Sequence, residues 1–250
     1  MMHSTIKVKL NLLVALFTAA ALCANGQVSQ PEITTKLWEA IGGQDNWQQA
    51  RYFMFSCTGG QKGSFVQGER RYLWDKQTGN CRFEGVTTDD ETVIALFNIR
   101  THEGTAYING VQLNNPRVTE DIIKEAAEEF KRDAYLLFLP TALDGDQVSV
   151  KVGDEKLVGT QRFTMVNIKN PKTVFSASVA GQLYVDAQTG QIQKWRPNGS
   201  SNEFSVDGFK DIGGGLVLPT RFISSDTSAS VTYPLAAALV NIEDQKFERP

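Results

Sequence analysis

The chain has 250 residues, of which 41% are hydrophobic and 21% are charged, and its 25 basic and 28 acidic side chains give a net charge of −3 at pH 7. This acidic balance argues against a nucleic-acid partner, because proteins that bind nucleic acids present a basic face.

The N-terminal segment has the pattern of a secretory signal. Lys7 and Lys9 precede an apolar run at 10–22, which is too short to span a bilayer and suits a signal-peptide core. Small residues follow and end at Gly26. We therefore predict a signal peptide over residues 1–26 and a periplasmic or secreted protein.

Cys23 offers an alternative, a lipoprotein anchored at that residue. Bacterial lipoprotein signals have a small residue before the cysteine, whereas this chain has the bulky Leu22, so cleavage after Gly26 is favoured. The remaining residues, 27–250, carry 23 basic and 28 acidic side chains, a net charge of −5. They contain no second apolar run of membrane length, and we predict that they form a single domain.

The first predicted element is a short helix. Ser29 and Glu32 fit a capping box with Pro31 in the first turn. Apolar residues recur behind them at helical spacing, namely Ile33, Leu37, Trp38 and Ile41. Two glycines at 42–43 end the helix, and Asp45 is the predicted cap of one further turn.

Short segments rich in β-branched and aromatic residues follow, separated by Gly, Asn and Asp turns. This spacing is typical of an antiparallel sandwich or barrel. The Asn109-Gly110 dipeptide predicts a two-residue hairpin. A second turn is predicted within 150–158, at Gly153 and Asp154.

One long amphipathic helix interrupts the strands. It is predicted over 119–138, with Thr119 as N-cap, and the chain must leave it before Pro140. Its exit, 134–143, is unusually apolar. That exit must be covered either by the sheet or by a ligand.

An Asp-x-Gln-Thr-Gly stretch occurs twice, beginning at Asp75 and at Asp186. One interpretation is that the two aspartates are catalytic carboxylates. However, an Asp that bonds backbone amides ahead of it and a Gly that takes positive φ are what a strand–turn–strand element requires. We predict two hairpin turns of one sheet.

Several stretches together carry a family resemblance. "GERRYLW", "CRFEG", "AYINGVQL" and "LYVDAQTGQIQKW" resemble strand and hairpin motifs of the periplasmic outer-membrane lipoprotein carriers, the LolA-like superfamily. The resemblance is strongest to uncharacterised secreted members of that superfamily. The features shared with those members are "GGxxxW" at 42–47, "DAYLLFLP" at 133–140 and "GGLVLPT" at 214–220.

The resemblance implies a mainly β, α+β fold in which a single antiparallel curved sheet forms an open half-barrel covered by helices. Members of the family bind lipoprotein acyl chains or other lipids in an apolar cavity. This chain is longer than the sorting carriers, and Gln77-Thr78 stands where they have an Arg-Pro turn.

Strand alternation and the apolar helix supply candidate cavity residues, which are either core residues or ligand contacts. They are Phe53, Phe55, Trp74, Phe97, Phe130, Leu137, Phe138, Leu218 and Phe222. The predicted function is a non-enzymatic binder or carrier of an apolar ligand, a lipid or the acyl chains of a lipoprotein. The alternative is an envelope structural or interaction protein with a filled core.

Residues for catalysis or metal binding are scarce. Beyond the predicted signal peptide, His102 is the one histidine, and a histidine-based triad or a zinc site of three or four ligands cannot be assembled around it by spacing. We therefore expect no enzyme activity, metal or cofactor. The expected state is a monomer that does not span a membrane.

Cys57 and Cys81 present a conflict. An oxidising compartment favours a disulfide. In a simple meander, however, Cys57 lies beside Val66 and Cys81 beside Leu73, which separates them by about 23 Å along a strand. A disulfide requires Cα atoms within about 7 Å. Both outcomes stay open, with geometry favouring free thiols.

Overall fold

The computed structural model describes residues 29–60 and 63–250, so the predicted signal peptide and the Cys23 alternative lie outside the described residues. The described chain is mainly antiparallel β with three α-helices. Within it, no helix is both long and apolar enough to cross a membrane.

The first helix, α1 (Gln30–Ala40), is the one predicted. Oγ of Ser29 accepts a hydrogen bond from the backbone N–H of Glu32 at 3.4 Å, with Pro31 in the first turn. A second helix, α2 (Gln44–Gln49), follows Gly43, which caps it without a side chain. The prediction of Asp45 as cap was therefore wrong, since Asp45 lies inside the first turn of α2.

A meander of six strands comes next, each paired antiparallel with its neighbour in the chain. The strands are β1 (Tyr52–Gly59), β2 (Val66–Asp75), β3 (Asn80–Thr87), β4 (Thr92–Asn98), β5 (Gly104–Ile108) and β6 (Val111–Gln112). The predicted hairpin at Asn109-Gly110 joins the last two, with φ of 50° and 78°.

The long helix α3 (Pro116–Leu137) begins three residues earlier than predicted. Oδ1 of Asn115 accepts hydrogen bonds from the backbone N–H groups of Arg117 and Val118, at 3.1 and 3.4 Å. Pro116 lacks an N–H and suits the first helical position. Thr119 is therefore inside the helix and is not its cap. As predicted, α3 ends before Pro140. A 3₁₀ helix (Leu139–Leu143) follows directly and contains that proline.

The second half of the chain supplies ten strands and two more 3₁₀ helices. The strands are β7 (Ser149–Val158), β8 (Gln161–Asn170), β9 (Val179–Asp186), β10 (Ile192–Pro197), β11 (Phe204–Asp207), β12 (Lys210–Gly213), β13 (Leu216–Leu218), β14 (Arg221–Ser224), β15 (Val231–Thr232) and β16 (Ala236–Leu239). The 3₁₀ helices are Thr227–Ala229 and Asp244–Phe247. Strands β12 and β13 form a separate pair.

The main sheet has the order β6-β5-β4-β3-β2-β1-β15-β14-β11-β10-β9-β8-β7, and β16 also pairs with β1. Within the described residues its edges, β6 and β7, do not pair, so the sheet stays open. Helix α3 leaves one edge strand and leads to the other. The predicted open α+β half-barrel with a single large antiparallel sheet is confirmed.

One predicted turn is absent. Strand β7 continues through Gly153 with a shift of register there, and the chain reverses only at Gly159, where φ is 63°. The prediction placed the turn too early because a glycine also suits a bulge inside a strand.

The repeated motif is architectural, as predicted. Oδ1 of Asp75 accepts bonds from the backbone N–H groups two and three residues ahead at 2.9 and 3.3 Å, and Oδ1 of Asp186 does so at 2.9 and 2.8 Å. Gly79 and Gly190 have φ of 86° and 71°. The two motifs close the β2–β3 and β9–β10 hairpins of the same sheet.

Both described cysteines are free and buried, the outcome that geometry favoured. Their predicted neighbours were wrong, because both hairpin turns lie slightly later in the chain than assumed. Cys57 faces Arg70 and not Val66. Cys81 faces Trp74, one residue beyond its predicted partner.

Candidate functional site

All nine candidate cavity residues lie in one hydrophobic core, with exposed fractions between 0% and 4%. Five of them are aromatic rings from β1, β2, α3 and the helix exit that contact one another. Their ring centroids lie 5.1 to 6.2 Å apart in the contacting pairs, and the rings are Phe53, Phe55, Trp74, Phe130 and Phe138. These side chains define the aromatic core.

The remaining candidates extend the same core. Leu137 precedes Phe138 at the end of α3, and Phe97 lies on β4. Phe222 contacts Tyr233 at 6.2 Å between centroids, and Tyr233 contacts Phe55 at 6.4 Å. The candidates from both halves of the sheet therefore meet beneath α3. Whether a ligand touches them stays a prediction.

A buried ion pair fastens α3 to the sheet. Arg70 donates to Asp133 through Nε at 2.6 Å and Nη2 at 2.9 Å, and their side chains are 1% and 6% exposed. The hydroxyl of Tyr72 also donates to Asp133, at 2.7 Å. Glu129 lies 3.7 Å from Arg70 and pairs with Arg132. A bidentate pair of this kind holds the helix in one register on the sheet.

This pair was not predicted, although the sequence carries a signal for it. Arg70 lies on the same face of β2 as the inward residues Tyr72 and Trp74, because the three occupy alternate positions. Asp133 lies one turn beyond Phe130 on the apolar face of α3. A charge of each sign at buried positions predicts a partner for each, because an unpaired buried charge is costly.

The pair perturbs the titration of its neighbours. Burial works to lower the pKa of Arg70, but the hydrogen bonds and charge of Asp133 raise it overall. Burial, reinforced by the charge of Asp133, raises the pKa of Tyr72 and of the Cys57 thiol. Cys57 is therefore a protonated thiol at neutral pH, which lacks the thiolate needed of a nucleophile.

An apolar cavity opens beside the C-terminal half of α3. This side cleft has a volume of about 490 Å³ and lies between α3, the 176–178 loop and the ends of β10 and β11. Most of the surface that the cleft exposes is apolar, although its rim carries two basic side chains. Its wall includes Lys131, Arg132, Tyr135, Leu136, Ser176, Ser178 and Phe204. Leu136 and Phe204 are 5% and 7% exposed, so the wall is continuous with the core.

A second cavity lies on the opposite face of the sheet, under the C-terminal segment. This opposite-face groove has a volume of about 620 Å³. Its wall includes Met54, Leu73, Arg82, Leu239, Lys246 and Arg249. The segment above it is docked, since Phe247 stacks on Tyr52 at 6.3 Å and Arg82 donates to two backbone carbonyls of the segment.

Within residues 29–60 and 63–250, no group of three His, Cys, Asp or Glu side chains is placed to hold an ion. His102 lies in the β4–β5 turn with φ of 59°. Asp75, one of the two aspartates considered for catalysis, is paired with Arg51 at 2.8 Å and bonded to its own turn.

Neither a family model nor a curated protein matches the chain. Solved structures do match. A DUF1329 family protein from Desulfovibrio piger shares 9% identity over 88% of this chain and 97% of its own, with a TM-score of 0.41. A domain assigned to the outer membrane lipoprotein-sorting proteins, from Vibrio parahaemolyticus, shares 7% identity over 82% and 93%, with a TM-score of 0.37.

A third match is the Mycobacterium tuberculosis lipoprotein LppX, with 8% identity over 86% of this chain and 100% of its own and a TM-score of 0.28. At these identities the likeness is one of fold alone.

Proposed function

We propose that the protein is a non-enzymatic binder or carrier of an apolar ligand, a lipid or the acyl chain of a lipoprotein, held between α3 and the sheet. The observation that carries the proposal is the side cleft. Its volume lies within the range of small-molecule sites. Its deeper wall, at Leu136 and Phe204, is apolar and buried.

The cleft leads toward the predicted contacts. Leu136 lines the cleft, and the next two residues, Leu137 and Phe138, belong to the core. An acyl chain bound along Leu136 therefore lies next to the part of α3 that carries these predicted contacts. The free energy gained by burying the chain is about 0.8 kcal/mol for each CH₂ group.

The remaining parts of the proposal concern the molecule as a whole. The signal peptide is removed after Gly26, and residues 27–250 act in the periplasm or outside the cell as a monomeric single domain. No catalytic residue, cofactor or nucleic acid takes part.

A second candidate function is favoured by the packing of the aromatic core, whose five rings fill the space beneath α3 with exposed fractions of 0% to 1%. In that case the protein is an envelope structural or interaction protein with a filled core. The opposite-face groove, whose walls carry apolar side chains and charged side chains of both signs, then supplies the partner surface.

Native mass spectrometry of the protein exported to a bacterial periplasm and purified without detergent separates the two candidates. Extra mass that dissociates as lipid supports the carrier. A clean apo mass, unchanged after incubation with envelope lipids, refutes the carrier and leaves the interaction protein.

A steric variant locates the site. Ser178→Trp places a large ring in the side cleft from its exposed rim, so bound lipid should be lost. Ser205→Trp is the matched control, because Ser205 is exposed and neighbours Phe204 on the other face of β11. Lipid retained equally by both variants would place the ligand elsewhere.

A further inference from the structure

A third cavity lies beside the side cleft. It has a volume of about 530 Å³ and is enclosed by the β4–β5 turn, α3 and the loop that follows β8. We call it the basic pocket, and its wall includes Ile99, Arg100, His102, Lys131, Lys172 and Ser176.

The basic pocket concentrates positive charge in an acidic protein. Three basic side chains, Arg100, Lys131 and Lys172, line it. Glu128 offsets one of them by pairing with Lys131 at 2.7 Å. Throughout the described residues, neither Arg100 nor Lys172 has a carboxylate within 4.0 Å. Two cations are therefore available to an anion that enters the pocket.

The shape of the pocket is held by hydrogen bonds. Nη2 of Arg100 donates to the carbonyl of Lys76 at 3.0 Å, which fixes the guanidinium. The loop at 173–177 closes on itself, since Thr173 and Ala177 exchange backbone and side-chain bonds of 2.8 to 3.2 Å. The guanidinium of Arg100 and the loop are thus positioned before a ligand arrives, which lowers the entropic cost of binding.

Backbone strain marks the same pocket. Four described non-glycine residues have positive φ, and two of them, His102 at 59° and Ser176 at 61°, line this wall. Strained residues of this kind cluster at ligand sites, where the surrounding structure holds them.

The basic pocket and the side cleft share two wall residues, Lys131 and Ser176. An apolar cavity and a cationic cavity therefore adjoin at the C-terminal half of α3. A molecule with an acyl chain and an anionic group at one end matches both. A neutral lipid leaves Arg100 and Lys172 without an anionic partner.

We propose that the ligand is an anionic amphiphile, whose chain occupies the side cleft and whose negatively charged group, of the phosphate type, is bound by Arg100, Lys131 and Lys172. The proposal rests on the proposed function and names its substrate class. The same pocket chemistry suits a free phosphate ion, so the test separates the two sources.

Three probes are compared by isothermal titration calorimetry on the exported protein below the critical micelle concentration. They are a monoacylglycerol, the monoacylglycerol phosphate with the same chain, and inorganic phosphate. We expect the monoacylglycerol phosphate to bind about tenfold more tightly than the monoacylglycerol. Raising the salt concentration should reduce that difference, because screening weakens exposed charge pairs.

The variant Arg100→Gln/Lys172→Gln should remove most of the tenfold difference while leaving monoacylglycerol binding unchanged. Lys156→Gln/Lys210→Gln is the matched control, because it removes two exposed charges outside the basic pocket. If Arg100→Gln disturbs folding through its bond to Lys76, Lys172→Gln alone provides the test, since its side chain forms no ion pair in the described chain.

Each other outcome overturns the inference. Equal binding of both lipids, unaffected by the double variant, leaves an apolar-ligand carrier without an anion site. Binding of inorganic phosphate with neither lipid bound makes the pocket a small-ion site and also refutes the proposed function. No binding of any probe refutes both.

Discussion

Replacing Arg70 with methionine tests the buried ion pair. Methionine is also a long, flexible side chain, but it leaves the carboxylate of Asp133 buried without a counter-ion. Removing one partner of a buried pair costs about 3–5 kcal/mol, most of it the penalty of the charge left behind. The side chains of Arg70 and Asp133 are 1% and 6% exposed, so water cannot take the place of the guanidinium.

The chain supplies a control with the same chemistry at the surface. Arg221 contacts Asp207 through Nε at 2.8 Å and Nη2 at 3.0 Å, again as a bidentate pair, but these side chains are 54% and 49% exposed. Arg221→Met should therefore cost less than about 1 kcal/mol. The two pairs have the same bidentate geometry and differ in exposure. A larger loss of stability in Arg70→Met than in Arg221→Met is therefore caused by burial.

Urea denaturation of the wild type and both variants measures the effect. With an m-value of about 2–3 kcal/mol/M, Arg70→Met should lower the midpoint by about 1–2 M. Arg70→Met/Asp133→Leu should be more stable than Arg70→Met, because it removes the orphaned carboxylate. If Arg70→Met costs no more than Arg221→Met, the reasoning is refuted.

Three further predictions concern stability and the thiols. Gly42→Ala should destabilise more than Gly43→Ala, measured by the same denaturation. Both glycines have positive φ, which costs about 1–2 kcal/mol when the residue is alanine. Only at Gly42 would the added Cβ also clash with backbone, at the carbonyl oxygen of Gly215. Equal losses of stability in the two variants would contradict this prediction. Burial lowers the pKa of Lys76 to about 8, so the folded state binds fewer protons than the unfolded state between that value and about 10.4. The free energy of unfolding, relative to Lys76→Met, should rise by about 2 kcal/mol from pH 7 to 10, and a flat difference would refute the shift. Cys57 and Cys81 should resist a thiol reagent until urea unfolds the chain, because burial raises both pKa values; rapid labelling of the native protein would exclude this.

Local features of the fold could be predicted where a side chain forms a hydrogen bond with the backbone of a residue close to it in sequence. The cap at Ser29, the hairpin at Asn109 and the turns at Asp75 and Asp186 are each decided within a few residues. The start of α3 was misplaced because both Asn115 and Thr119 are good caps, and a proline after the first of them decides between the two.

Pairings between distant segments could not be predicted. Alternation places Phe53 and Phe222 on buried faces, but it does not reveal that β1 joins the two halves of the sheet. The side cleft and the basic pocket depend in the same way on which loop lies next to α3. Spacing in the sequence does not reveal that Lys172 and Arg100 line one pocket. They follow β8 and β4, which stand nine positions apart in the sheet order.

The position of β1 has a consequence for how the chain folds. Thr58 of β1 pairs with Thr232, which lies 174 residues later in the chain. The second edge of β1 therefore stays unpaired until that later segment is present. Until that segment emerges, the first six strands expose an unpaired edge and the two halves of the sheet stay separate. A chain cut before Val231 would keep that edge open and tend to aggregate.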